Sequence, residues 1–134
     1  KVLVAYGTYA NFKKVHWNKN EIAFDSPAYW NAWRNWCKVM DDVIVRNGIP
    51  RKDYSIEIAD EPQIRELPLA ELSRAAAELK KAVPGVHITI TNASNTYAKE
   101  MAENVDSWIF SQYEIYDKKR SVNVDYRLRF QAAI

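Results

Sequence analysis

Residues 54–62, with the sequence YSIEIADEP, combine a strand-forming run with an abrupt polar end. The first six alternate around the β-branched residues Ile56 and Ile58, a pattern typical of a strand. Pro62 has no N–H to donate to a sheet, so it ends the strand at two adjacent carboxylates, Asp60 and Glu61. Because side chains alternate along a strand, we expect Glu57, Ala59 and Glu61 to share one face.

Strand and helix patterns alternate on both sides of this stretch. Upstream, residues 2–6 predict a buried strand and residues 8–25 a polar and aromatic loop. An amphipathic helix is predicted over residues 27–46. It begins after Asp25-Ser26 and stops at Asn47-Gly48. Downstream, the patterns predict a helix over 68–83, a strand over 87–91, a short helix capped by Asn95 or Thr96, and a strand over 106–111. Residues 113–134 alternate as a strand does, although a parallel β/α array would place a helix there.

The order β-α-β-α-β-α-β predicts an α/β protein with a parallel sheet and right-handed crossovers. Two architectures fit this order: about half of a TIM-type (β/α)8 barrel, whose complete form needs about 250 residues, or a small open doubly wound sheet. The chain begins with Lys1 rather than Met, and a pattern of apolar residues continues close to Ile134. We therefore expect residues 1–134 to form a single α/β segment that is a processed protein or a fragment of a longer one.

Composition excludes several classes of protein. The net charge of +2 is too small for a nucleic-acid-binding surface, and no apolar run approaches the roughly 18 residues of a membrane-spanning helix. The single cysteine, Cys37, excludes an internal disulfide and a multi-cysteine metal site, and its position on an apolar helix face indicates an inert core thiol. We find no glycine-rich phosphate loop and no metal-ligand spacing, so no cofactor and no metal are expected.

Both architectures place functional residues at the carboxyl ends of the strands. The sharpest signal there is the Asp60-Glu61 pair, because burial and a neighbouring like charge both raise the pKa of a carboxyl group, as a general acid requires. The alternative is that Asp60-Glu61-Pro62 merely caps a strand before a solvated loop. Glu57 favours the functional interpretation, because a carboxylate within a strand needs a polar partner or a functional reason.

Aromatic and amide residues supply further candidates. The tryptophans of the long helix, including Trp33 and Trp36, are expected in the core, whereas Trp17 in a loop and Trp108 in the fourth strand are better placed for a ligand. The other strand ends contribute four candidates: Tyr6, Asn92, Gln112 and Tyr113.

Four motifs together resemble a known family. In order they are residues 54–62, Val83-Pro84-Gly85, the strand 87–91 and Val105-Asp106-Ser107-Trp108. They resemble part of the barrel of family 123 glycoside hydrolases, bacterial β-N-acetylgalactosaminidases and their relatives, over roughly residues 28–113. The resemblance implies a carbohydrate substrate and favours a secreted or periplasmic protein.

The resemblance also implies a substrate-assisted retaining mechanism on 2-acetamido sugars. Asp60 would orient the acetamido N–H, and Glu61 would protonate the leaving oxygen and later deprotonate water. By position, Tyr6, Asn92, Trp108, Gln112 and Tyr113 would contact the sugar.

A complete member has eight barrel strands and usually a β-sandwich, so this chain would be a fragment of such an enzyme or would pair with a second copy. The alternative is a non-catalytic small α/β domain that binds carbohydrate or protein.

Overall fold

A computed structural model describes residues 2–4, 7–17, 22–62, 66–91 and 95–109. Its elements in chain order are β1 (Val2–Val4), α1 (Thr8–Trp17), α2 (Pro27–Arg46), a 3₁₀ turn (Arg51–Asp53), β2 (Tyr54–Asp60), α3 (Leu69–Ala82), β3 (Ile88–Thr91), α4 (Asn95–Glu100) and β4 (Ser107–Ile109). The predicted alternation of helices and strands is confirmed over these residues, except that α1 stands where a loop was predicted. The two interpretations of residues 113–134 concern a part of the chain outside the described residues.

The four strands form one open parallel sheet in the order β1-β2-β3-β4. The predicted α/β class with parallel β/α units is therefore confirmed. A doubly wound sheet needs a point at which the strand order reverses, and the order of the described strands contains no reversal. Right-handed crossovers between strands in consecutive order put all the helices on one face, in agreement with the packing of α2 on α3 and of α3 on α4.

The core lies between the sheet and this helical layer. The strands contribute four fully buried isoleucines: Ile56, Ile58, Ile88 and Ile90. Trp33 of α2 is also fully buried, and its indole N–H donates a hydrogen bond to the carbonyl oxygen of Ala75 in α3, at 2.9 Å. This side chain therefore joins two helices and covers the sheet at the same time.

The long helix α2 begins and ends as the sequence predicts. The Ser26 hydroxyl accepts a hydrogen bond from the backbone N–H of Tyr29 at 3.1 Å, and Pro27 occupies the first helical position. Cys37 is fully buried, which confirms its expected core position, and burial raises the pKa of its thiol. Trp36 was expected in the core, but 36% of it is exposed.

The expected loop over residues 8–25 is wrong for residues 8–17, which form α1. Gly7, with φ +55°, turns the chain after β1, and the helix follows at once. Tyr9 and Phe12 lie one helical turn apart, are fully buried, and both have ring centroids 5.1 Å from that of Trp33. Val15 of the same helix is 45% exposed, so contact of Tyr9 and Phe12 with α2, rather than a continuous apolar face, stabilises this helix.

A buried carboxylate holds the turn between α2 and β2. Asp41 accepts two hydrogen bonds from the Arg51 guanidinium, at 2.9 and 2.6 Å, and a third from the Tyr54 hydroxyl. Its side chain is 6% exposed. Mainly because of the hydrogen bonds from Arg51, the pKa of Asp41 lies below its usual value despite the opposing effect of burial.

Replacing Asp41 by Asn is expected to lower the free energy of unfolding at pH 7 by about 1–3 kcal/mol. A carboxyl whose pKa is lowered by folding stabilises the protein above its unfolded pKa, about 3.9, and this stabilisation is lost as the pH falls through the folded pKa. Urea unfolding between pH 7 and pH 2 should therefore show a shallower loss of stability in the variant below about pH 4. If the stability of the two proteins fell equally with pH, the lowered pKa assigned to Asp41 would be contradicted.

Candidate functional site

The sheet face opposite the apolar core carries a hydrogen-bonded row of polar side chains. The Thr89 hydroxyl of β3 pairs with the Ser55 hydroxyl of β2 on one side and with the Ser107 hydroxyl of β4, at 2.7 Å, on the other. His87 Nε2 lies 3.1 Å from the same Ser107 oxygen. We call this side of the sheet the polar face; the other side is apolar and is covered by helices.

A bulge in β2 decides which carboxylates reach the polar face. Glu57 lies beside Thr89, but the register then shifts, so that Ala59 lies beside Ile90 and Asp60 beside Thr91. The expectation that Glu57, Ala59 and Glu61 share one face is therefore wrong. An extra residue in a strand reverses the alternation beyond it, so Ala59 joins the apolar core and Asp60 joins Glu57 on the polar face.

Glu57, in the middle of β2, is hydrogen-bonded to the residue that directly precedes α1. It is fully buried, and its Oε2 atom accepts a hydrogen bond from the backbone N–H of Gly7 at 3.0 Å. Gly7 is the residue that turns the chain into α1. The carboxylate thus has a polar partner, as a charged side chain buried within a strand requires. This hydrogen bond holds Gly7 against the polar face.

Asp60 and Glu61 occupy the carboxyl end of β2 in different environments. Asp60 is 7% exposed, whereas Glu61 is more accessible. Glu61 has φ +47°, in the left-handed region that side chains other than glycine seldom adopt, at a cost of about 1–3 kcal/mol. Its backbone N–H donates to the Thr91 carbonyl oxygen at 3.0 Å and thereby continues the ladder between β2 and β3. Backbone strain at a strand end is a feature that clusters at active sites.

The other residues of the motifs that resemble family 123 glycoside hydrolases take part in packing, turns and hydrogen bonds of the fold. Asp106 Oδ2 accepts a hydrogen bond from the Ile88 N–H at 2.8 Å, and its Oδ1 lies 3.1 Å from the Lys80 ammonium. Trp108 lies beside Ile90 in the register and packs against the core, and Gly85 supplies a turn with φ +79°. Asp106, Trp108 and Gly85 therefore have structural roles in the described fold.

The structure brings together only part of the predicted site. Trp17 is the last residue of α1 and not part of a loop, and Trp108 lies on the helix-covered face, opposite Asp60. Four predicted residues lie outside the described part of the chain: Tyr6, Asn92, Gln112 and Tyr113. Thr91, at the end of the third predicted strand, was not among the predicted site residues, but the register places it beside Asp60.

Within the described ranges, no group of three or more His, Cys, Asp or Glu side chains could hold a metal ion. The helices there include none that is long and apolar enough to cross a membrane. Comparisons of this chain with protein-family models, with curated proteins and with solved structures found no match.

Proposed function

We propose that this chain is part of the catalytic β/α barrel of a glycoside hydrolase that cleaves 2-acetamido sugars, such as β-N-acetylgalactosaminides, by a substrate-assisted retaining mechanism. The observation that carries the proposal is Glu61, held at φ +47° directly after Asp60 at the carboxyl end of a buried parallel strand. Ligands of parallel α/β proteins bind at this end of the strands.

The strand order supports a barrel as the complete fold. Strands in consecutive order, with helices on one face, follow the winding of a (β/α)8 barrel. In such a barrel the polar face would line the interior, with Glu57 deep within it and Asp60 near its mouth. The outer edges of β1 and β4 would then pair with further strands, supplied by the same polypeptide or by a second copy.

Adjacent carboxylates suit a substrate-assisted reaction. The carbonyl oxygen of the 2-acetamido group attacks the anomeric carbon, and the bond from that carbon to the leaving oxygen breaks as Glu61 gives the oxygen a proton. Water then attacks the anomeric carbon and loses its proton to the Glu61 carboxylate, so that the acetamido group is regenerated and the configuration is retained. Asp60 accepts a hydrogen bond from the acetamido N–H and orients the attacking carbonyl. The sugar supplies the nucleophile, so a second catalytic carboxylate about 5 Å away is not required.

Matched aryl glycosides test this proposal. We expect the full-length natural protein to hydrolyse an aryl N-acetyl-β-galactosaminide and to leave the aryl β-galactoside, which has a 2-hydroxyl group, uncleaved. The pair differs only in the acetamido nucleophile. Equal rates on both would indicate an ordinary retaining glycosidase with a carboxylate nucleophile elsewhere. Hydrolysis of neither would overturn the catalytic proposal in favour of a binding domain.

A further inference from the structure

The hydroxyl of Thr91 is a polar group on the candidate site to which the described structure gives no function. Thr91 is the last residue of β3 and lies beside Asp60 in the register. Its Oγ1 atom is shielded from solvent and, within the described part of the chain, has no hydrogen-bond partner. The great majority of buried side-chain polar atoms are hydrogen-bonded, so an orphaned hydroxyl calls for an explanation.

Thr89 provides an internal comparison. It belongs to the same strand and the same face, two residues away, and its hydroxyl is bonded to both Ser55 and Ser107. The sheet therefore satisfies a threonine hydroxyl in its middle and leaves one unsatisfied at its carboxyl end. The unsatisfied threonine hydroxyl thus lies at the end of the strands at which ligands bind.

We propose that Thr91 is a substrate-binding residue whose hydroxyl forms a hydrogen bond with the 2-acetamido sugar held by Asp60. This inference rests on the proposed function and adds to it a residue from the neighbouring strand. Thr91 as a whole residue is partly exposed. A rotation of about 120° about χ1 moves the hydroxyl to another staggered position, so the oxygen can change direction without movement of the strand.

Two matched variants distinguish a ligand-binding role of the Thr91 hydroxyl from a role in stabilising the fold. Thr91→Val and Thr89→Val each replace a hydroxyl by a methyl group of similar size on the same strand. Thr91→Val removes no described hydrogen bond and is expected to keep or raise the midpoint of thermal unfolding. Thr89→Val leaves the Ser55 and Ser107 hydroxyls without their shared partner and is expected to lower it.

Ligand affinity should show the reverse pattern: Thr91→Val should lose affinity, and Thr89→Val should keep it. We expect Thr91→Val to bind N-acetylgalactosamine about 10-fold more weakly than wild type by isothermal titration calorimetry, since one hydrogen bond is lost. Thr89→Val should bind as wild type at a temperature at which it is folded. Thr91→Ser, which restores a hydroxyl, should recover most of the affinity.

The outcomes distinguish this inference from the function on which it rests. Binding by wild type and equal binding by Thr91→Val would overturn the role of Thr91 and leave the proposed function standing. A fall in the unfolding midpoint of Thr91→Val as large as that of Thr89→Val would also overturn it, because the hydroxyl would then have a structural partner. If wild type neither binds N-acetylgalactosamine nor hydrolyses its aryl glycoside, both proposals fail together.

Discussion

The Glu61→Gln variant is expected to hydrolyse aryl N-acetyl-β-galactosaminides at least ~10²-fold more slowly than wild type, because general acid catalysis contributes about that much or more. Glutamine has nearly the shape of glutamate, but its amide is far too weak an acid to protonate the leaving oxygen. The measurement is kcat on a series of aryl glycosides whose phenols differ in acidity. The deficit should shrink as the leaving phenol becomes more acidic, since a better leaving group needs less protonation.

Glu66→Gln is the matched control for this variant. Glu66 is exposed, lies five residues further along the chain, and also has a positive φ, of +51°. The two substitutions therefore make the same chemical change in the same backbone region. Glu66→Gln should keep wild-type kcat. Full activity in Glu61→Gln, or an equal loss in both variants, would contradict the assignment of Glu61 as the general acid.

Local patterns were sufficient to predict most of the secondary structure. Ser26 and Pro27 mark the start of α2 through a side-chain cap and a fixed φ, both of which depend on neighbouring residues alone. α1 was not predictable in this way, because Tyr9 and Phe12 are stabilised by rings of α2 far along the chain. Met101 and Val105 are buried although they lie beyond the end of α4, which stops at Glu100.

The candidate site was predictable in position but not in orientation. That Asp60 and Glu61 follow a buried strand could be read from Ile56, Ile58 and Pro62. The bulge between Glu57 and Ala59 could not, because it arises from the pairing of β2 with β3 and leaves the period-2 pattern of the sequence unchanged. A one-residue shift moves every later side chain to the other face. The pairing thus puts Asp60, and not Ala59, on the polar face.

Trp33→Ala is expected to have the largest effect on stability, a loss of about 3–5 kcal/mol in the free energy of unfolding. The side chain is fully buried, and its removal leaves a cavity bordered by Tyr9 and Phe12 and a carbonyl oxygen at Ala75 without its donor. Because typical domains are stable by only about 5–15 kcal/mol, this loss is a large fraction of the total.

Trp36→Ala makes the same substitution one helical turn later, at a side chain that is 36% exposed. Its loss of stability should be clearly smaller, because a partly exposed side chain leaves no closed cavity when it is removed. Urea unfolding followed by circular dichroism measures both variants without depending on tryptophan fluorescence. Equal losses would mean that the packing of α2 is not centred on Trp33. A larger loss for Trp33→Ala would instead show that the helical layer depends on this buried side chain, which contacts Tyr9 and Phe12 of α1 and the Ala75 carbonyl oxygen of α3.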